Sequence, residues 1–142
     1  MSFHETSVRV RYAETDQLGI VYHSNYLVWF EIGRVELIRS RGISYKQMEA
    51  EDDCHIVVGE ASCRYHHPAR YDDVLRIRTS IAESSKRIVK FHYEVFHEPD
   101  GKLLATGDTT HVICGRDGKA KSLPEKLRRL LAVSPGPGET KR

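Results

Sequence analysis

Val8, Val10 and Tyr12 alternate with Arg9 and Arg11, the period of two that marks a strand with one buried face. The alternation stops at Ala13, and the polar stretch to Tyr22 predicts a loop. The pattern then changes: Tyr26, Leu27, Val28, Trp29, Phe30, Ile32 and Gly33 surround the next turns with apolar groups. A helix that is apolar on most sides is buried on most sides. Ser24 or Asn25 is placed to cap it, because either side chain can accept from free N–H groups. Glu36, Arg39, Ser40 and Arg41 bring polar residues back only at its end, and Gly42 is a natural stop. Ser44 to Asp52 predicts a second, short helix.

Four strand-like segments follow. The first two are 54–67 and 74–83. In the third, Val89, Phe91, Tyr93 and Val95 alternate with Lys90, His92 and Glu94. Pro99-Asp100-Gly101 predicts a hairpin turn into the fourth, Leu103 to Cys114. Arg116-Asp117-Gly118 is a further turn, and Leu123 to Leu131 a short terminal helix. The tail from Ser134, with Pro135-Gly136-Pro137-Gly138, reads as flexible, which leaves 1–133 as the folded domain. One strand, a buried helix and four more strands predict an α+β fold, with the helix packed on an antiparallel sheet that curls around it. Pattern alone goes no further.

A chain of 142 residues suits one domain. With 30% charged and 39% hydrophobic residues it has the composition of a soluble globular protein. A net charge of +2 gives no reason to expect nucleic acid as a partner. Met1-Ser2-Phe3-His4-Glu5 lacks the layout of a signal peptide, and the apolar run Tyr26 to Ile32 is too short to span a membrane. Cys54, Cys63 and Cys114 form no CxxC pair, and their odd count does not suit a disulfide framework. Reduced thiols in a cytoplasmic protein are the simplest reading.

The candidate chemistry lies between Arg11 and Tyr26. Asp16 sits just before the turn residue Gly19, and His23 stands at the entrance of the apolar helix. An acid–base group beside unpaired helix N–H groups is a common way to polarise an electrophile. By itself, an Asp before a turn glycine is more often a turn former, and a histidine at a helix start is as often a surface or capping group. Glu31 and Arg34 are spaced to pair along one face of the helix. His55, His66, His67 and His111 match no zinc spacing, and strand alternation would send His66 and His67 to opposite faces, so no metal is expected.

Several blocks, in order, resemble the hot-dog-fold acyl-CoA thioesterases of the 4-hydroxybenzoyl-CoA thioesterase-like family. Arg11-Tyr12-Ala13-Glu14-Thr15-Asp16 and Gly19-Ile20-Val21-Tyr22-His23-Ser24-Asn25-Tyr26 look like its first block. Phe30-Glu31 with Arg34 looks like its helix continuation, and Tyr65-His66-His67-Pro68-Ala69-Arg70-Tyr71-Asp72-Asp73 like its second block. The matches span roughly residues 8 to 125. The resemblance implies a long helix wrapped by a curved five-stranded antiparallel sheet. It implies that Asp16 attacks the thioester carbonyl or activates water, and that the backbone N–H of His23 holds the thioester oxygen. The His23 imidazole is a candidate to protonate the leaving thiolate. Tyr22, Asn25 and Tyr26 would shape the substrate site, with Trp29 and Phe30 lining or backing it. Gly19 would supply the turn and Gly33 a packing contact. Ser85, Lys86 and Arg87 would meet the phosphates of coenzyme A, with Ser85 at a place where a further basic residue can occur. Glu31 is a second candidate base. No metal or redox cofactor is implied, CoA being part of the substrate. Family members form dimers by pairing sheet edges, often assembled into tetramers, with the active site between subunits. Two other readings stay open: a thioesterase acting on acyl-carrier protein, and a non-catalytic acyl-binding or interaction module.

Overall fold

A computed structural model describes residues 3–133; the tail expected from Ser134 lies outside them. Five strands, β1 (His4–Arg9), β2 (His55–Tyr65), β3 (Val74–Ser84), β4 (Ile88–His97) and β5 (Leu103–Cys114), form one sheet in the order β1-β3-β4-β5-β2. Every pairing is antiparallel. The helices are α1 (Asn25–Ser40), α2 (Tyr45–Asp52) and α3 (Glu125–Leu130). Ser44 caps α2 in a reciprocal box with Gln47, and Gly42 ends α1's turn at a φ of +98°.

The first strand departs from the alternation that predicted it. It begins at His4 and ends at Arg9. Beyond it, the Glu14 carboxylate accepts the Arg11 N–H at 2.7 Å and the Arg11 guanidinium at 3.2 Å. That local box closes a 3-10 turn over Tyr12–Glu14 and leaves Tyr12 78% exposed rather than on a buried strand face. Val10 remains buried, bonded through its backbone to Asp72 and Asp73.

The core lies between one face of the sheet and one face of α1. Leu75, Ile77 and Ile81 of β3, the row Val89, Phe91, Tyr93 and Val95 of β4, and Ile113 of β5 are buried against Trp29, Phe30, Leu37 and Ile38. Phe30 stacks on Tyr93 with ring centroids 4.2 Å apart. Two glycines let α1 lie this close. A Cβ at Gly33 would collide with Thr79, and one at Gly107 with the Phe30 ring. A polar chain runs through the same layer: Arg34 Nη1 donates to the Tyr93 hydroxyl at 3.4 Å, Tyr93 and Thr109 hydroxyls share a bond of 2.6 Å, and His111 Nε2 meets Thr109 Oγ1 at 2.8 Å. The predicted pairing of Glu31 with Arg34 does not form. Arg34 turns inward to this chain while Glu31 stays exposed.

Nor is α1 buried all round. Leu27 and Val28 are 41% and 47% exposed. On the edge strand β2, Val57 and Val58 are also nearly half exposed.

Candidate active site

The Asp16 loop is held by its own backbone. Asp16 N–H donates to Ile20 O, Gly19 N–H donates to Asp16 O, and Gly19 takes a φ of +80° that other residues resist. The carboxylate joins this turn: its Oδ1 accepts the Leu18 N–H at 2.9 Å and the Ile20 N–H at 3.4 Å. Asp16 is thus a turn former, as its type predicts, but through one oxygen; no bond in the loop holds the other. Ile20 bridges Arg70, and Val21 N–H donates to Ala69 O, which ties the loop to the segment after β2.

The entrance of α1 lacks a side-chain cap. Ser24 takes the N-cap position in a helical conformation, and its hydroxyl makes no capping bond, contrary to the sequence expectation. Asn25 does not cap either, because its Nδ2 donates to Glu14 O at 3.0 Å and locks the helix start onto the 3-10 turn. Among the described residues, the His23 and Ser24 amides have no backbone acceptor. Free N–H groups at the positive end of a helix dipole suit a developing negative charge.

Asp16 and His23 line one cleft, a cavity of about 370 Å³, together with Ile20, Tyr22, Tyr26 and Tyr65. Its walls are largely aromatic. Tyr26 is 3% exposed and packs edge-on against Tyr65 at 5.1 Å. The Tyr65 hydroxyl donates to His23 O at 3.1 Å. Burial pushes the hydroxyls of Tyr26 and Tyr65 up to about 12, so both stay protonated donors near neutrality. Trp29 and Phe30 take no part in the lining and are core. His67 and Pro68 complete the cleft. The amides of His66 and His67 both donate to Leu104 O, which breaks the strand alternation just past β2. Sequence reasoning gave Tyr65 and His67 no role at this site; their only signal was membership of the second block.

Ser85, Lys86 and Arg87 lie elsewhere. They form the exposed turn between β3 and β4, at the end of β3 opposite the Asp16 loop. Ten residue steps of strand separate the two ends, roughly 30 Å at strand rise. The hairpin is pinned to the segment before α3 by the Leu123 N–H, which donates to Lys86 O. His55, His66, His67 and His111 are dispersed: His55 meets Asp53, His66 meets Thr106, His67 faces the cleft and His111 lies in the core. No cluster of three or more His, Cys, Asp or Glu side chains able to hold a metal occurs among the described residues.

Residues 10–131 match the family model of the thioesterase-like superfamily. The chain belongs to that superfamily. Among its relatives, the acyl-CoA thioesterase YbgC of Haemophilus influenzae is 31% identical over 123 residues, 85% of this chain and 88% of that one. A solved structure from Thermus thermophilus superposes with a TM-score of 0.84 at 39% identity, covering 91% of this chain and 95% of the other. The structure of 4-hydroxybenzoyl-CoA thioesterase superposes with a TM-score of 0.84 at 22% identity, over 93% of this chain and 100% of that one. At that identity the likeness is one of fold, and the fold is the hot-dog: a long helix against an antiparallel five-stranded sheet that does not close into a barrel. Superfamily membership makes the chain a thioester hydrolase. No helix of this thioesterase among the described residues is long and apolar enough to cross a membrane.

Proposed function

We propose that this thioesterase hydrolyses an acyl-CoA to a carboxylic acid and free CoA, with the Asp16 carboxylate as nucleophile or general base. The observation that carries the reading is the meeting of the Asp16 carboxylate and the uncapped start of α1 in one cleft. Asp16 Oδ1 is occupied by loop amides, so Oδ2 is the atom that attacks the thioester carbon or takes a proton from water. As the carbonyl oxygen gains charge, the His23 N–H receives it. The thiolate leaves and is protonated by the His23 imidazole or by water; where Oδ2 itself attacked, water then hydrolyses the mixed anhydride, releasing the acid and restoring the Asp16 carboxylate. Tyr22 and Tyr26 bound the acyl group, and Asn25 acts by fixing the helix start.

The protein works as an edge-paired dimer or a tetramer of such dimers. The support is the long exposed edge strand β2 and the exposed Leu27 and Val28 of α1, together with the distance between Asp16 and Lys86 within one chain. A pantetheine arm is only about four or five extended residues long, roughly 15 Å. Lys86 and Arg87 therefore meet the phosphates of a CoA bound at a neighbouring subunit's Asp16. Three free cysteines, Cys54, Cys63 and Cys114, fit the reducing cytoplasm.

Asp16→Asn tests the chemistry, because an amide oxygen can keep the bond to Leu18 N–H. Turnover of the best acyl-CoA should fall about a hundredfold or more with the melting temperature unchanged. Near-normal kcat would move the chemistry to another group, with Glu31 next. A second experiment separates CoA from a carrier protein as acyl donor. Replacing Lys86 and Arg87 by Ala should raise KM for acyl-CoA about ten- to a thousandfold, with kcat held and acyl-pantetheine turnover unchanged. Unchanged KM for acyl-CoA in the double variant favours the carrier-protein reading.

A further inference from the structure

The inner face of β2 carries Tyr65, Cys63, Ala61 and Val58, opposite Ala105, Gly107, Thr109 and His111 of β5. At the entrance of α1 and along its first turns, His23, Leu27 and Glu31 are exposed and spaced four residues apart. On β2 itself Ala61 and Val58 are exposed and Cys63 is half-buried, so the strand surface past Tyr65 is small, apolar and uncovered. Tyr65 stands at the head of this surface. Its backbone belongs to the edge strand, while its hydroxyl is fastened to the helix entrance through His23 O at 3.1 Å. Its ring is wedged edge-on against Tyr26 at 5.1 Å and His23 at 6.4 Å. An aromatic ring held at both ends thus stands where the strand bearing Cys63 and Ala61 meets the cleft, whose lining includes Tyr65 and neither of those two.

We propose that Tyr65 is the specificity-determining residue that limits the length of acyl group this site accepts. The proposal rests on the acyl-thioester reading of the cleft. A short acyl group ends against the ring. A longer one must bend out of the cleft into water and loses the burial of its distal methylenes. Tyr65 acts on the fit of the chain and takes no proton or electron pair in the reaction.

The test is a chain-length profile. Straight-chain acyl-CoAs from butanoyl to dodecanoyl are assayed by thiol release with wild type, Tyr65→Phe and Tyr65→Ala. Each methylene newly buried contributes about a fourfold gain in kcat/KM. Tyr65→Ala should therefore raise the decanoyl-to-butanoyl ratio of kcat/KM about tenfold or more. Tyr65→Phe, which keeps the ring and frees it from His23, should move the ratio in the same direction by a few-fold at most. An equal loss of kcat/KM at every chain length in Tyr65→Ala overturns the proposal and leaves the residue a support for the helix entrance. Tyr65→Leu gives the same reading if the alanine variant does not fold. Dissociation constants of the same acyl-CoAs on the Asp16→Asn background give a second reading free of turnover. A length shift in binding upholds the role of Tyr65 and a flat profile removes it. Failure of the wild type to release thiol from any substrate would count against the hydrolase reading alone.

Discussion

β1 closes one side of the sheet with six residues, and β2 closes the other with eleven. Along β1, Glu5 accepts from Arg78 Nε at 2.9 Å and from Arg76 Nε at 3.2 Å, and the Arg78 guanidinium lies over the rings of Phe3 and Phe96. Charge and shortness make that edge a poor template for another strand. β2 carries Ile56, Val57 and Val58, is exposed on both faces through most of its length, and is bent by a bulge at Gly59. A long edge with an apolar surface is either an aggregation hazard or a place for a partner. Only one of the two edges borders the cleft, and it is the open one, because Tyr65 is its last residue.

A lysine at each edge gives the largest expected contrast. Val58→Lys should weaken self-association by about a hundredfold or more, because a two-fold interface brings the new charge in twice. Turnover should fall with the loss of dimer. Ser7→Lys on β1 should leave both unchanged. Sedimentation at micromolar concentration, with thiol release measured on the same samples, checks the pair; equal behaviour of the two variants would erase the distinction between the edges.

Acid should act on the open side through a buried base. His111 pairs in register with Val58 and is fully buried; burial, aided by Arg34, pushes its pKa down from 6.5 to about 4. A base with a lowered folded-state pKa binds its proton more readily when unfolded. Its contribution to stability is therefore complete above pH 6.5 and is lost as pH falls toward about 4. A shift of that size corresponds to about 3 kcal/mol. Urea unfolding across this pH range should show the loss, and His111→Gln should flatten it.

Glu5→Gln on the closed side should have the smallest effect. Its partners are one-quarter to one-third exposed, and ion pairs of this kind contribute about 0.2–1 kcal/mol. The decrease should shrink further in molar salt, read by the same unfolding method.

The hydrophobic pattern located most elements because their alternation ran uninterrupted. β5 spans Leu103–Cys114, the predicted range, since it sits between two neighbours and keeps one face inward throughout. β1 was misplaced because the Arg11–Glu14 box competes with the ladder, and alternation does not register a side chain that bonds its own backbone. The exposure of Leu27 and Val28 was hidden for a different reason. Apolar residues mark what can be buried, and the chain that buries them need not be the same one. Asp16 and His23 were legible at the site because they are close in sequence and lie on one loop and one helix start. Tyr65 and His67 reach the cleft only through sheet pairing and the loop bond to Ala69. Gly107 carries no sequence signal of the Phe30 ring that lies against it.

With the thioester oxygen at the His23 amide, as proposed, the bare start of α1 would make the substrate a structural component of the enzyme. A carbonyl oxygen seated at the His23 amide would do for the helix what a serine or aspartate side chain does elsewhere, a service worth about 1 kcal/mol. Occupancy and the firmness of the first helical turn are then one equilibrium. Each arriving thioester would tighten that turn and each departing acid would let it loosen, so on that reading the free enzyme should exchange its first-turn amides with solvent faster than the occupied one.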